Sequence, residues 1–221
     1  MFPWNKIDTV LLDMDGTLLD LHFDNHFWLQ IVPYELSCQK GISTQDAMKL
    51  VESSYGKVFG TLQWYCFDFW QQELGLDILA LHKISADKIK LRQDSMPFLN
   101  ALESQNKSRI LATNAHPKSL ALKLEQTELG LGLDQVISSH ETGYPKEHPL
   151  FWRHLFKQFS LEPSRCLFID DSEAILHASK KAGVGYQLGI TNPDSQKPDK
   201  AFSDFPAIGD FHILLDDLLA K

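Results

Sequence analysis

The sequence predicts an α/β fold, a three-layer, Rossmann-like parallel β-sheet with a helical insertion after its first strand. Three observations lead to this prediction. Short, unbroken apolar runs are typical of strands that are buried on both faces, as in a parallel sheet. Segments of helical periodicity alternate with these runs, which favours right-handed helical crossovers between parallel strands. One long stretch near the N-terminus breaks the alternation and contains helical patterns only.

Five apolar runs are the predicted strands. The run over residues 7–12 is the strongest, and it stops at Asp13. The run over 184–190 is weaker, because two glycines dilute it. The other predicted strands cover residues 109–112, 135–138 and 166–169.

Helical periodicity fills the segments between the predicted strands. The helix over 118–126 follows Pro117, a residue that suits the first turn of a helix. The helix over 172–182 begins at Ser172, a capping residue, and ends before Gly183. We also predict helices over 97–104, 149–159 and 211–219, and a long loop over 192–205.

The break in the alternation predicts the domain organisation. Residues 21–91 contain helical stretches near 25–34, 44–55 and 61–74 and are rich in aromatic residues, but they contain no convincing strand. We therefore predict an α/β core domain formed by residues 1–20 and 92–221, and a helical cap domain formed by residues 21–91. Residues 21–91 are called the helical insertion below.

Composition limits the classes of partner. The formal net charge of −8 disfavours nucleic acid and anionic lipid, both of which bind basic surfaces. The N-terminus lacks the basic and apolar regions of a signal peptide, and no apolar run approaches the roughly 18 residues of a membrane span. The three cysteines form no Cys-x-x-Cys pair, which suits reduced thiols. We expect a soluble, cytoplasmic protein, and the sequence leaves its oligomeric state open.

Polar residues follow the predicted strands where each one ends. Ligands of open α/β sheets bind at the carboxyl ends of the strands, so these side chains should form one site. The candidates are Asp13 and Asp15 after the first strand, Thr113 and Asn114 after the second, Lys146 in the loop after the third, and Asp170 and Asp171 after the fourth.

The carboxylates among these residues predict a metal site. Four carboxylates at one sheet edge would repel each other strongly unless a cation neutralised them. Mg²⁺ is a hard cation that binds through one or two carboxylates together with substrate oxygens. We predict that Asp13, Asp15 and Asp170 bind the metal. For Asp171 a direct metal contact, a contact through water and the orientation of Lys146 stay open.

The remaining residues predict phosphate chemistry. Lys146 and the Thr113 hydroxyl are expected to hold phosphate oxygens, and Asn114 precedes a helix whose N-terminal amides favour anions. Asp13 is placed to attack phosphorus. Asp15, two residues on, is placed to protonate the leaving oxygen and later to deprotonate water. The pattern predicts a Mg²⁺-dependent phosphohydrolase.

These four motifs resemble those of the haloacid dehalogenase superfamily of phosphatases. The stretch 13–17 (DMDGT) corresponds to the first motif, Thr113 to the second, Lys146 to the third, and the pair at 170–171 to the fourth. The resemblance implies the α/β core of that superfamily, a cap inserted after the first strand, Mg²⁺ and an aspartyl-phosphate on Asp13. One departure is Glu147, because many relatives have proline after the lysine. We expect a different loop shape, with Glu147 or His148 nearer the site.

Longer stretches resemble a narrower group, the bacterial GMP/IMP 5′-nucleotidases of this superfamily. This resemblance implies a purine nucleoside monophosphate as the small-molecule partner and release of its phosphate. Composition and spacing show no purine preference of their own. A sugar-phosphate phosphatase, a phosphomutase, a dehalogenase and a non-catalytic phosphate-binding module stay open as alternatives. The matching stretches are 11–28, 113–117, 143–147, 167–176 and 188–195.

The helical insertion holds the candidates for substrate contact. Most of its aromatic residues are expected to form its own core. Phe23, His26 and Trp28 lie just past the loop that carries Asp13 and Asp15, which is called the catalytic loop below. A purine favours an aromatic stacking face. No histidine shows metal-ligand spacing, so we expect surface or supporting roles for His22, His26, His116, His140 and His148.

Overall fold

A computed structural model describes residues 2–219. Within that range the chain forms one six-stranded parallel sheet in the order β3-β2-β1-β4-β5-β6. The order reverses at β1, between β2 and β4, and such a reversal opens a ligand crevice at the carboxyl ends of the strands. The strands are β1 (Thr9–Leu12), β2 (Ser108–Thr113), β3 (Gln135–Ser138), β4 (Cys166–Asp170), β5 (Tyr186–Ile190) and β6 (Ala207–Ile208).

The helical insertion lies between β1 and β2. Its third helix, α3 (Thr44–Val58), illustrates how the local sequence forms a helix. The Ser43 side chain caps the N-terminus by accepting a hydrogen bond from the Asp46 amide at 3.1 Å. Ala47, Val51 and Val58 then return to one face of the helix and are buried. A π-helical turn, Phe27–Ile31, joins the first two helices. The helices are α1 (His22–His26), α2 (Val32–Lys40), α3 (Thr44–Val58), α4 (Phe67–Leu74) and α5 (Ile78–Ile84).

The remaining helices cover the sheet or lie at its edge. Helices α6, α7 and α11 cover one face and α9 and α10 cover the other, which gives three layers. Successive residues of a strand point to opposite faces, so Val10 and Leu12 enter the first core and Leu11 the second. The helices are α6 (Ser95–Ser104), α7 (Pro117–Gln126), α8 (Ser139–Thr142), α9 (Pro149–Gln158), α10 (Glu173–Lys181) and α11 (His212–Leu219).

The predicted fold class is confirmed. All five predicted strands are present, and the weak fifth one is β5. Its Gly189 is required by packing, because a Cβ there would lie 2.5 Å from the Phe202 ring. The two-residue β6, which lies just beyond the predicted loop, was not predicted from the sequence, and neither were α5 and α8.

The helical insertion has a hydrophobic core of its own. This cluster includes Phe27, Val51 and Trp70 and is separate from the two clusters that flank the sheet. The separation supports the predicted division into a core domain and a cap domain, whose boundaries at residues 20/21 and 91/92 stay a prediction. Across residues 2–219, no helix combines the length and the apolar character that crossing a membrane requires.

Candidate active site

The loop after β1 is a tightly packed turn. Asp13 continues the strand pairing, because its amide donates to the Ile169 carbonyl at 2.9 Å. Gly16 has φ +86°, and a Cβ there would lie 3.0 Å from the Asp171 carboxyl carbon. Only glycine fits this position without strain. The turn therefore holds the Asp13 side chain at the sheet edge while bringing the loop against the end of β4.

Lys146 joins the ends of β1 and β4. Its side chain is 2 % exposed, and its ammonium donates to Asp13 Oδ1 and, at 2.7 Å, to Asp170 Oδ2. Burial raises the pKa of Asp13, and that of Asp170 well above its usual value, although Lys146 opposes both shifts. Burial lowers the pKa of Lys146, but the two carboxylates outweigh it and the pKa is raised. The structure thus brings three of the predicted site residues into direct contact.

The backbone of Lys146 is held from both sides. Its amide donates to Asn114 Oδ1 at 2.9 Å, and its carbonyl accepts from the indole of Trp152 at 2.7 Å. Glu147 accepts from Asn114 Nδ2 at 3.1 Å and from the Tyr65 hydroxyl at 2.8 Å. Glu147 therefore does lie at the site, where it connects the core to the helical insertion.

The end of β4 carries two carboxylates with different partners. Asp170 Oδ1 accepts from the Ser172 amide at 2.7 Å, whereas the Ser172 side chain makes no capping bond, so the expectation that Ser172 caps the helix is corrected. Asp171 accepts from Lys200 Nζ at 3.0 Å. Burial raises the pKa of Asp171 and Lys200 opposes the shift.

Three carboxylates are close enough to share a cation. Asp13, Asp170 and Asp171 each offer an oxygen, and these oxygens lie within 4.8 Å of one another. Oxygen-only donors of this kind fit Mg²⁺ rather than a softer metal. The carboxylate of Asp15, the third predicted metal ligand, is not part of this group.

Asp15 belongs to a second cluster that sequence reasoning missed. Lys123 on α7 is 1 % exposed and donates to Asp15 Oδ1 at 2.7 Å and to both Asp24 oxygens at 2.8 and 2.9 Å. Burial and the Asp24 charge raise the pKa of Asp15 to about 6. The sequence contained one indication that Lys123 is buried. Lys123 lies three residues after Leu120, on the same buried face of α7.

Thr113 ends β2 at the same edge and is buried. Its hydroxyl oxygen accepts from the Ala115 amide at 3.0 Å. Thr113, Asn114 and Lys146 all line one cavity at this edge of the sheet. The structure therefore places every predicted site residue at one edge of the sheet.

A cavity of about 510 Å³ separates this edge from the helical insertion. Trp28 lines it, as expected. Phe23 is instead buried with its ring centroid 4.6 Å from that of His82, and His26 stacks on His22 outside the cavity lining, so these two expectations are corrected. Other aromatic residues of the insertion complete the wall, namely Tyr55, Phe59, Trp64, Tyr65, Phe67 and Trp70.

Two histidines lie closer together than the sequence suggested. His116, His140 and Cys66 each have a ligand-type atom within 4.8 Å of the others, although they are far apart in sequence. His116 Nδ1 accepts from the Lys118 amide, and its ring stacks on Phe67. Burial lowers the pKa of His116 to about 4. We interpret this group as a packing contact between the core and the insertion.

Comparison with known proteins identifies the family. Residues 7–183 match the model of the haloacid dehalogenase-like hydrolases. The chain is 47 % identical over 216 residues to the GMP/IMP nucleotidase YrfG of Escherichia coli, an alignment that spans 98 % of this chain and 97 % of that protein. The match to the protein of the same name from Shigella flexneri has the same values.

Solved structures show the same fold. A phosphatase of this superfamily from Thermococcus onnurineus superimposes with a TM-score of 0.78 at 24 % identity, covering 97 % of this chain and 98 % of that one. An L-2-haloacid dehalogenase from Xanthobacter autotrophicus gives 0.65 at 14 % identity, covering 96 % and 97 %. The chain belongs to the haloacid dehalogenase-like hydrolase family, so the resemblance drawn from its motifs is confirmed and the protein is an enzyme.

Proposed function

We propose that this hydrolase is a Mg²⁺-dependent 5′-nucleotidase that releases phosphate from purine nucleoside monophosphates through an aspartyl-phosphate on Asp13. The observation that carries the proposal is the contact of Lys146 with both Asp13 and Asp170 at the floor of an aromatic-walled cavity. The GMP/IMP nucleotidases that share 47 % identity with the chain support the substrate class.

The donor set at the sheet edge supports the choice of metal. Asp13, Asp170 and Asp171 would hold Mg²⁺ through carboxylate oxygens. Bound there, the ion would offset the repulsion between these carboxylates and stabilise negative charge on the phosphate oxygens. That Asp15 is a further ligand stays a prediction.

Lys146 and Thr113 are proposed to hold the phosphate. An ammonium has three N–H donors, and the two aspartates take two of them, so the third can bind a phosphate oxygen. The Thr113 hydroxyl accepts from Ala115, and its own hydrogen can be donated. Both ends of the Asn114 amide already have partners, so we propose that Asn114 serves phosphate binding by fixing Lys146.

Asp13 and Asp15 are proposed to perform the chemistry. A carboxylate oxygen of Asp13 attacks phosphorus while the bond to the ester oxygen breaks, and Asp15 gives that oxygen a proton. Water then attacks the phosphorus of the aspartyl-phosphate, Asp15 takes a proton from it, and phosphate leaves. A carboxyl whose pKa is about 6 suits a group that must both give and take a proton near neutral pH.

The aromatic wall favours a nucleotide over a sugar phosphate. A volume of about 510 Å³ falls in the usual range for small-molecule sites. Aromatic faces stack well on a purine, whereas a sugar would need many polar partners. Trp28, Tyr55 and Trp64 are the proposed base-contacting residues.

We propose that the enzyme is cytoplasmic, as expected from the sequence. The state of the three cysteines supports this, because Cys38, Cys66 and Cys166 are free thiols rather than disulfide partners.

A substrate screen tests the function. Phosphate release is measured with Mg²⁺ for purine and pyrimidine 5′-monophosphates and for several sugar phosphates, and kcat/KM values are compared. We expect GMP and IMP to lead the sugar phosphates by about 100-fold or more, since specific pocket contacts readily supply that ratio. The Asp13→Asn protein, purified in parallel, controls for contaminating phosphatases.

Three outcomes of the screen would contradict the proposal. A sugar phosphate with the highest kcat/KM would overturn the substrate class. An isomeric phosphate ester as product would indicate a mutase. A lack of phosphate release from every ester would indicate a binding module.

A further inference from the structure

Lys123 is a buried cation that the proposed chemistry does not use. It projects from α7, its side chain is 1 % exposed, and its ammonium lies 2.7 to 2.9 Å from three carboxylate oxygens. A charged group in such a place must be paired and hydrogen-bonded to be tolerated. The two aspartates that pair with it therefore have well-defined positions relative to α7.

The two partners belong to different parts of the chain. Asp15 lies in the catalytic loop after β1, and Asp24 lies on α1, the first helix of the helical insertion. The ring of Phe23, also on α1, lies 5.4 Å from the Lys123 ammonium. One side chain thus joins the core, the catalytic loop and the beginning of the insertion.

We propose that Lys123 is a positioning residue that holds the Asp15 carboxylate for proton transfer and links that position, through Asp24, to the first helix of the insertion. This inference rests on the proposed function. Lys123 binds Oδ1 of Asp15, so Oδ2 is the oxygen that carries the proton.

Positioning and simple structural support predict different kinetics. When the ester bond breaks, the proton on Asp15 Oδ2 moves to the leaving oxygen, and the bonding electron pair stays on that oxygen. A ribose 5′-alkoxide is a poor leaving group and needs this proton. A p-nitrophenolate is stable without it. A misplaced Asp15 should therefore slow cleavage of a nucleotide much more than cleavage of p-nitrophenyl phosphate.

The test compares two lysines of one helix. Lys123→Met removes the buried link, and Lys118→Met removes an exposed contact between α7 and the insertion, the 2.8 Å pair with Asp68. Ester cleavage itself is measured as the pre-steady-state release of guanosine from GMP and of p-nitrophenol from p-nitrophenyl phosphate, because the later hydrolysis of the aspartyl-phosphate also uses Asp15 and is common to both esters. All measurements are made well below the melting temperature of each variant. We expect Lys123→Met to lower this rate constant for GMP about 10- to 100-fold and for p-nitrophenyl phosphate less than about 3-fold. Lys118→Met should match wild type with both esters.

Two further variants keep the test decisive when Lys123→Met folds poorly. Lys123→Arg retains donors for both carboxylates and should recover part of the loss with GMP. Asp24→Asn retains Lys123 and weakens its tie to α1, so it should show the same selective loss to a smaller degree.

The outcomes separate this inference from the proposed function. Equal losses with both esters in Lys123→Met and Asp24→Asn would mean that Lys123 only supports the fold, and the inference would be overturned while the function stood. A wild-type enzyme that is inactive on both esters would overturn the proposed function and the inference with it. A selective loss that disappears in an Asp15→Asn background would support positioning through Asp15.

Discussion

Two buried clusters at the edge of the sheet have the same composition, one lysine between two aspartates, but they differ in what they connect. Lys146 lies between Asp13 and Asp170, at the ends of the neighbouring strands β1 and β4. Lys123 lies between Asp15, in the catalytic loop, and Asp24, on the first helix of the helical insertion.

The elements that each cluster joins determine whether its geometry depends on the position of the helical insertion. The relative position of Asp13 and Asp170 is fixed by the parallel pairing of β1 with β4, so the Lys146 cluster is a rigid floor for phosphate. The Lys123 cluster includes a residue of the insertion, and its geometry changes when α1 moves. The proposed nucleophile is therefore fixed by the sheet, whereas the proposed acid is shared between the sheet edge and the insertion.

The largest expected effect is in the rigid cluster. Asp13→Asn should reduce turnover by about 10⁴-fold or more while the protein still folds, because the proposed nucleophile is lost and the amide can still fill the space. Single-turnover phosphate release measures the loss of turnover, and a thermal melt shows whether the protein still folds. Phosphatase activity above one hundredth of wild type would contradict the assignment of Asp13.

The next effect concerns Lys146. Lys146→Met should lower kcat/KM by about 10²- to 10³-fold, the usual cost of losing a preorganised charge at the reacting group. It also leaves Asp13 and Asp170 without a cation, so added Mg²⁺ should raise the melting temperature more in the variant than in wild type.

Lys200→Met is the matched control for Lys146. Lys200 binds Asp171 at the same edge but keeps 40 % of its side-chain exposure, whereas Lys146 is buried, so the loss of Lys200 should cost less than about 10-fold. Equal losses in the two variants would mean that burial between two aspartates gives Lys146 no special role.

The same two clusters show what sequence could predict of the site. Lys146 was found because it follows a strand, and strand ends meet at one edge whatever the loop lengths are. Lys123 was missed because it lies within a helix, where nothing in the local pattern indicates that Asp15 and Asp24 converge on it. Glu147 was noticed as a departure from the family motif, but its bonds to Asn114 and Tyr65 depend on how the insertion packs.

The fold also has elements that could be predicted from the sequence and elements that could not. The five main strands were predictable because short, unbroken apolar runs are typical of strands that are buried on both faces. The strand β6 has only two half-buried residues and forms through pairing with β5, so its own sequence carries little signal. Phe23 and Trp28 have similar aromatic character and are five residues apart, yet one is buried and the other lines the cavity. Phe23 packs against His82 of α5, with ring centroids 4.6 Å apart, and the local sequence does not indicate this contact.

The third prediction concerns the stability of the shared cluster. Lys123→Met should lower the free energy of unfolding by about 3 kcal/mol, because it leaves two facing carboxylates that keep only about a fifth of their side-chain exposure. Lys118→Met should cost about 0.5 kcal/mol, as is usual for an exposed ion pair. Denaturant titration of both variants measures the difference. Equal values would mean that apolar packing alone holds α1 to the core.

The smallest effect comes from His82 of α5, which lies beside the Lys123 cluster. It is fully buried, binds Ser119 Oγ at 3.0 Å, and burial, together with the Lys123 charge, lowers its pKa to about 2. The ordinary pKa of about 6.5 applies in the unfolded chain. Above pH 6.5 the ring is neutral in both states and has no effect. Below it the unfolded chain takes up a proton that the folded protein does not.

The free energy of unfolding should therefore fall by up to about 1.4 kcal/mol for each pH unit below 6.5, from this residue alone. His82→Gln keeps a hydrogen-bonding partner for Ser119 and removes the titration, so its stability should fall less steeply than that of wild type between pH 6.5 and 5. Denaturant titrations at several pH values give the slope of the free energy of unfolding against pH for each protein. Buried carboxylates such as Asp13 contribute equally to the two slopes, so the difference between them comes from His82. Identical slopes would show that His82 can be protonated in the folded state, and that the insertion is looser around Lys123 than its burial indicates.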